Sequence, residues 1–180
     1  MTNDAQNLEN LIREYLLDEG LLRKRIEDEH LEFGYQFVFP PVKEGSGQKV
    51  QNLVVYQPKK KDLIIISIGT QISKPHIEAL EEGKERKIRF FVELKKLLLF
   101  KDLYFRFDIN NYRYELSDQI FFSKKKLISK NEFFDSVRKV FNIQAYSNLL
   151  LLEFCSGKIN QEDFEKTEKF EPGPGFSLYS

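Results

Sequence analysis

Residues 88–116, IRFFVELKKLLLFKDLYFRFDINNYRYEL, restrict the possible folds more than any other stretch. They read as the end of a helix, a short connection, and two strands joined at Asn110-Asn111. The helix offers a broad apolar face and the strands an alternating one, so the core is expected where they meet. Leu103, Phe105, Phe107 and Ile109 alternate on the first strand, and Tyr112, Tyr114 and Leu116 return on the second. Asparagine tolerates positive φ, which suits Asn110-Asn111 to a tight hairpin turn.

The flanking segments extend this pattern. Leu8, Leu11, Ile12, Tyr15 and Leu16 recur at helical spacing, with Asn3 or Asp4 able to cap the start and Gly20 to stop it. Residues 21–30, LLRKRIEDEH, fit either a loop or another helical turn. Leu31, Phe33, Tyr35, Phe37 and Phe39 then alternate as a half-buried strand that Pro40-Pro41 ends. After the EGSGQK connection (44–49), residues 50–57 and 63–70 form two more strands, joined across Pro58 and Lys59-Lys60-Lys61-Asp62. The second of these is apolar on both faces, which suits a central position in the sheet.

Ser73 is expected to cap a long central helix, with Pro75 in its first turn and Gly83 able to split it. Residues 120–122 can add a short strand. Ser129-Lys130-Asn131-Glu132 has the capping-box pattern and opens a helix carrying Phe133, Val137, Val140 and Phe141, followed by a further helical run from Ile143 to Phe154. The predicted class is α+β. A mainly antiparallel sheet of about five strands is packed by an N-terminal helix, the long central helix and C-terminal helices. Residues 1–157 are expected to form one such domain. Residues 158–180 read as a flexible acidic tail carrying Phe164, Phe170, Phe176, Leu178 and Tyr179.

Charge excludes some partners. The 28 basic and 28 acidic residues cancel, so no general attraction to nucleic acid or anionic membrane is expected. The longest apolar runs, such as 149–152, fall far short of the roughly 20 residues of a membrane span. The polar N-terminus does not resemble a signal peptide, which predicts a cytoplasmic protein. Cys155 is the sole cysteine, so no internal disulfide or thiolate cluster is available, and burial as a small apolar residue is expected. Seventeen phenylalanines need burial, in the core or against a partner.

No grouping of residues carries recognisable chemistry. His30 lies among Glu27, Asp28, Glu29 and Glu32, but without ligand spacing on a common helix face, so a solvated acidic turn is expected rather than a metal site. For His76, in the first turn of the central helix, an exposed position is as open as a buried one. Gly45-Ser46-Gly47 with Lys49 lacks the spacing of a phosphate loop and precedes a strand. The junction from Gly69-Thr70 to Ser73 could hold an anion on backbone donors, as any strand-to-helix junction could. No catalytic residue, metal or cofactor is expected, and the chain is read as non-enzymatic. The lysine runs Lys59, Lys60, Lys61 and Lys124, Lys125, Lys126, with Tyr56, Phe121 and Phe122 nearby, could touch phosphates and stack bases. The neutral total charge favours instead a role in solubilising a hairpin tip and guarding an edge strand.

The order of elements and the motifs EFGYQFVFPP (32–41), YRYELSDQIFF (112–122) and LISKNEFFDSVRKVF (127–141) resemble an uncharacterised archaeal family, a domain of unknown function. That family is similar in fold to the small chaperones of type III secretion systems. The resemblance covers about residues 8–155, leaves out the tail, and transfers no catalytic residue. It implies a homodimer that holds an extended segment of a partner. The helix before Phe100 is then a candidate dimer face, through Phe90, Phe91, Leu94, Leu97 and Leu98. A chaperone-like or adaptor protein that binds polypeptides is the expected function, with nucleic-acid association through the lysine runs as the alternative. The tail aromatics are candidate docking elements, for this chain or for another.

Overall fold

The computed structural model describes residues 2–41, 50–83, 85–123 and 127–155, with side chains in the first helix from Asn7 onward. The glycine loop with Lys49, the run Lys124–Lys126 and the tail with Phe164, Phe170, Phe176, Leu178 and Tyr179 lie outside the described residues. The elements are α1 (Thr2–Asp18), β1 (Leu22–Arg25), β2 (Leu31–Phe39), β3 (Gln51–Pro58), β4 (Leu63–Gln71), α2 (Lys74–Glu81), α3 (Arg86–Phe100), β5 (Tyr104–Asp108), β6 (Arg113–Phe121) and α4 (Lys130–Cys155). The strands form an antiparallel α+β sheet in the order β1-β2-β3-β4-β6-β5. β4 is interior, as its apolar faces require. Its residues Ile64, Ile65, Ile66 and Ile68 are all buried.

Contacts divide the chain into two compact units, Met1–Ile68 with Ser117–Phe141 and Gly69–Leu116 with Asn142–Ser180. In the first, α1 buries Leu8, Ile12 and Leu16, one residue per turn. Because α1 begins at Thr2, Asn3 and Asp4 stand inside the helix rather than at its cap. The far end closes as the sequence suggests. Gly20 adopts φ +66°, its N–H donates to Leu17 O at 2.9 Å, and Leu21 N–H reaches Leu16 O at 2.9 Å. This pair of bonds satisfies two end carbonyls of the helix, and needs a left-handed residue between them. A Cβ on Gly20 would meet nothing within 4 Å. Gly20→Ala is therefore expected to cost about 1 kcal/mol through backbone conformation alone, measured by urea denaturation.

Residues 22–25, whose sequence fits a loop or a helical turn, form instead the strand β1, which pairs antiparallel with β2 through Leu22↔Phe37 and Arg25↔Tyr35. Its sequence LRKR has little strand propensity, so tertiary pairing sets its conformation. β2 and β3 run in register through Tyr35↔Val55 and Phe37↔Leu53, and β3 and β4 through Val55↔Ile66. Phe133 of α4 gathers the aromatic core of this unit. Its ring lies 6.1 Å from Tyr15, 6.3 Å from Phe37 and 5.1 Å from Phe134. Asp118 on β6 accepts from Ser136 Oγ at 2.9 Å and from Lys139 Nζ at 3.2 Å, which fixes the rotation of α4.

Tyr35 links three elements of the same unit. Its hydroxyl donates to Glu9 Oε1 at 2.9 Å, and Arg25 Nη2 lies 2.9 Å from that oxygen. Burial, and then the bond to Glu9, push the phenol up to about 12. The folded chain thus holds this proton more tightly than the unfolded one. The linked stability is complete below the ordinary value of about 10 and is lost as pH rises through about 12. Denaturation midpoints are expected to fall above about pH 10, and Tyr35→Phe should remove part of that fall.

The second unit holds the hairpin and the split helix. Gly83 separates α2 from α3, so the single long helix expected here is two. Ser73 stands at the N-cap of α2, but its hydroxyl makes no capping bond and instead lies 2.7 Å from His76 Nδ1. The β5–β6 turn also differs from expectation. The left-handed residue is Tyr112, at φ +56°, and neither asparagine has positive φ. The Asp108 carboxylate accepts from Asn111 N at 3.1 Å and Asn111 Nδ2 at 2.7 Å, which holds the loop open over four residues. Tyr112 is held there by its hydroxyl bond to Glu81, while Lys87 Nζ lies 4.1 Å from its ring centroid.

The expected C-terminal helices are one, α4, of 26 residues. Nothing between Phe141 and Ile143 breaks it. Ser129 Oγ accepts Glu132 N–H at 3.1 Å, the serine half of the capping box.

Candidate functional site

The residues first suspected of chemistry have structural positions. His30 is exposed beside Glu29, 3.7 Å away, and no group of three or more metal-ligating side chains occurs among the described residues. His76 is buried. Its carbonyl accepts from Cys155 Sγ at 3.7 Å, within the second unit. Burial pushes the Cys155 thiol up to about 11, against the opposing pull of Arg86, so it stays protonated at neutral pH and is a poor nucleophile.

The lysine run is exposed as a turn between β3 and β4, with Lys60 at φ +60°. Tyr56 is buried and cannot offer its ring to a base. Phe121 is exposed at the end of β6, and Phe122 N–H donates to Asp62 O at 3.1 Å, which brings this aromatic end beside the lysine turn.

The helix α3 carries the apolar surface of most interest. Four of the five interface candidates, Phe90, Phe91, Leu94 and Leu98, are buried in the chain's own core, and Leu97 is half-buried. Phe90 stacks edge-on with Phe91 at 5.1 Å and with Phe154 at 5.9 Å, and Phe91 packs on Phe107 at 5.6 Å. These side chains cannot meet a second chain without leaving their own fold, so the residue assignment moves. The apolar side chains that α3 turns outward are Ile88, Val92, Leu99 and Phe100, exposed by 53%, 44%, 63% and 81%. Ile88, Val92 and Leu99 fall at spacings of four and seven and so form one strip, with Phe100 at its C-terminal end. Lys95 lies in that strip and Arg89 and Lys96 beside it, all exposed. The sequence contained the excess of apolar residues on this helix. It did not contain the rotation of the helix about its axis, which contacts with Phe107 of β5 and Phe154 of α4 select.

The charges around the strip are mixed, since Lys96 Nζ pairs with the exposed Glu93 at 2.7 Å. Among the described residues no helix is long and apolar enough to cross a membrane.

Comparison with known proteins gives a family and a fold neighbour. No match to the chain was found among curated proteins. An uncharacterized protein from Methanothermobacter thermautotrophicus, solved by crystallography, is similar at 25% identity and a TM-score of 0.69. The match covers 81% of this chain and 96% of that one. A family model described as an uncharacterized conserved protein (DUF2299) matches residues 8–151, most of both units, and the chain belongs to that family.

Proposed function

We propose that this chain is a non-enzymatic, chaperone-like or adaptor protein of the cytoplasm that binds other polypeptides and works as a homodimer. The observation that carries this is the outward strip of α3. Its exposed Leu99 and Phe100 have no role in the core that the buried side of the same helix already fills. The resemblance to small type III secretion chaperones supports the same reading, since those proteins pair and present a surface to an extended client. The aromatic surplus supports it less than its size suggests, because ring clusters around Phe133 and Phe90 bury much of it.

Light scattering over a range of concentrations tests the reading. A dimer is expected, weakened at least tenfold by Leu99→Lys with Phe100→Ser. A strict monomer that also fails to hold apolar peptides would sink it.

A second reading is favoured by one contact. The bond from Phe122 N–H to Asp62 O sets exposed Phe121 beside Lys59, Lys60 and Lys61, an arrangement in which a ring can stack while amines meet phosphates. Anisotropy with single-stranded RNA or DNA at low salt measures it. Binding that weakens with salt and is lost on replacing Lys59–Lys61 by serine would favour nucleic acid over polypeptide.

A further inference from the structure

We propose that residues 74–100 are one helix held in two pieces, and that Tyr112, Glu81 and Lys87 form the clamp that holds them. The first ground is the phase of the buried side chains. α2 buries His76 and Leu80, and α3 buries Phe91, Leu94 and Leu98. Steps of three and four residues carry a single stripe through all five, by way of positions 83 and 87. Those two places hold Gly83, a weak helix former, and Lys87, whose ammonium group cannot be buried unpaired. Glu82 and Glu85, on either side of the break, already have right-handed helical backbone angles. The break therefore falls where the stripe is interrupted.

The second ground is what spans the break. The Tyr112 hydroxyl donates to Glu81, the last residue of α2. Lys87 Nζ, from the first turn of α3, lies 4.1 Å from the Tyr112 ring centroid and 4.0 Å from Glu81 Oε1. In a continuous helix residues 81 and 87 stand about 9 Å apart along the axis and about 120° apart around it, which sets their side chains on different faces. Arg86 Nη1 donates to Ala79 O at 2.8 Å, the carbonyl that Gly83 N–H would reach in a continuous helix. Arg86 N–H bonds only three residues back, to Gly83 O at 3.0 Å. Clamp and continuous helix therefore exclude each other. Tyr112 keeps φ +56° to make these bonds, a conformation that a bulky side chain adopts only where its surroundings enforce it. The joint is open to solvent, with the Glu81 side chain 61% and that of Lys87 23% exposed, so a partner that engages either charge would release it. This device does not depend on what the outward strip of α3 binds.

The test is amide hydrogen exchange, read by NMR on the full chain at Gly83 and Glu85. In Tyr112→Phe with Lys87→Leu the clamp is gone and the stripe gains an apolar residue. Exchange at both amides is expected to slow at least tenfold, as they bond to Ala79 O and Glu81 O, and their Cα shifts to become helical. Lys87→Arg, which keeps the charge, is expected to leave the natural rates within twofold. Unchanged exchange in the double variant, with the Leu94 and Leu98 amides still protected, would overturn the proposal. Equal slowing in Lys87→Arg would overturn it too, because the clamp would not be the cause. If the double variant loses protection at Leu94 and Leu98, Lys87→Leu alone decides. Slowing of at least threefold then supports the clamp, and none refutes it.

Discussion

Phe133→Ala is expected to lower the unfolding free energy by about 3–5 kcal/mol, the range for emptying a buried aromatic site that cannot collapse. Phe133 is fully buried and its ring neighbours come from α1, β2 and its own helix, through Tyr15, Phe37 and Phe134. A cavity there is walled by three elements fixed by separate parts of the chain, and closing it would require all three to move. Urea denaturation of the variant measures the loss directly. A decrease under about 1 kcal/mol would mean that the cluster repacks, and that this ring is not the centre of its unit.

The second large effect contrasts two neighbours on α3. Leu98→Lys is expected to cost more than about 4 kcal/mol, because it places an ammonium group in a fully buried apolar position. Leu99→Lys, one residue on, is expected to change stability by no more than about 0.5 kcal/mol, since Leu99 faces solvent. The same Leu99 change should weaken association, whereas a merely unstable variant would lose both properties together. Thermal denaturation and light scattering on the pair separate the buried side of the helix from the outward one. Equal destabilisation by the two would contradict the rotation of α3 described above.

Several elements were legible in the sequence because local chemistry decides them. Gly20 ends α1 by supplying a left-handed residue, the alternation of β2 marks its buried face, and Ser129 starts α4 where its hydroxyl meets the Glu132 amide. Other features depend on partners distant in sequence. β1 is a strand only because β2 is beside it, since LRKR alone favours neither strand nor burial. Tyr112 takes positive φ in place of the asparagines because Asp108 already binds Asn111 and Glu81 holds the tyrosine hydroxyl. The burial of His76 required Cys155, 79 residues away, to lie against it. The candidate site was half legible. Composition marked α3 as having too many apolar residues, and no local rule could say which of them the sheet would take.

The sealed position of Cys155 has a consequence for how copies of this chain can come together. With its only thiol buried and held protonated well above neutral pH, the chain has no ready covalent route to a pair. The pairing proposed above should therefore be fully reversible, governed by concentration and indifferent to reductant or oxidant. Non-reducing electrophoresis is expected to show a single band after mild oxidation, and a thiol reagent at pH 8 should modify the unfolded chain at once and the native one hardly at all. Under the proposed function, partners would exchange without regard to the redox state of the surroundings.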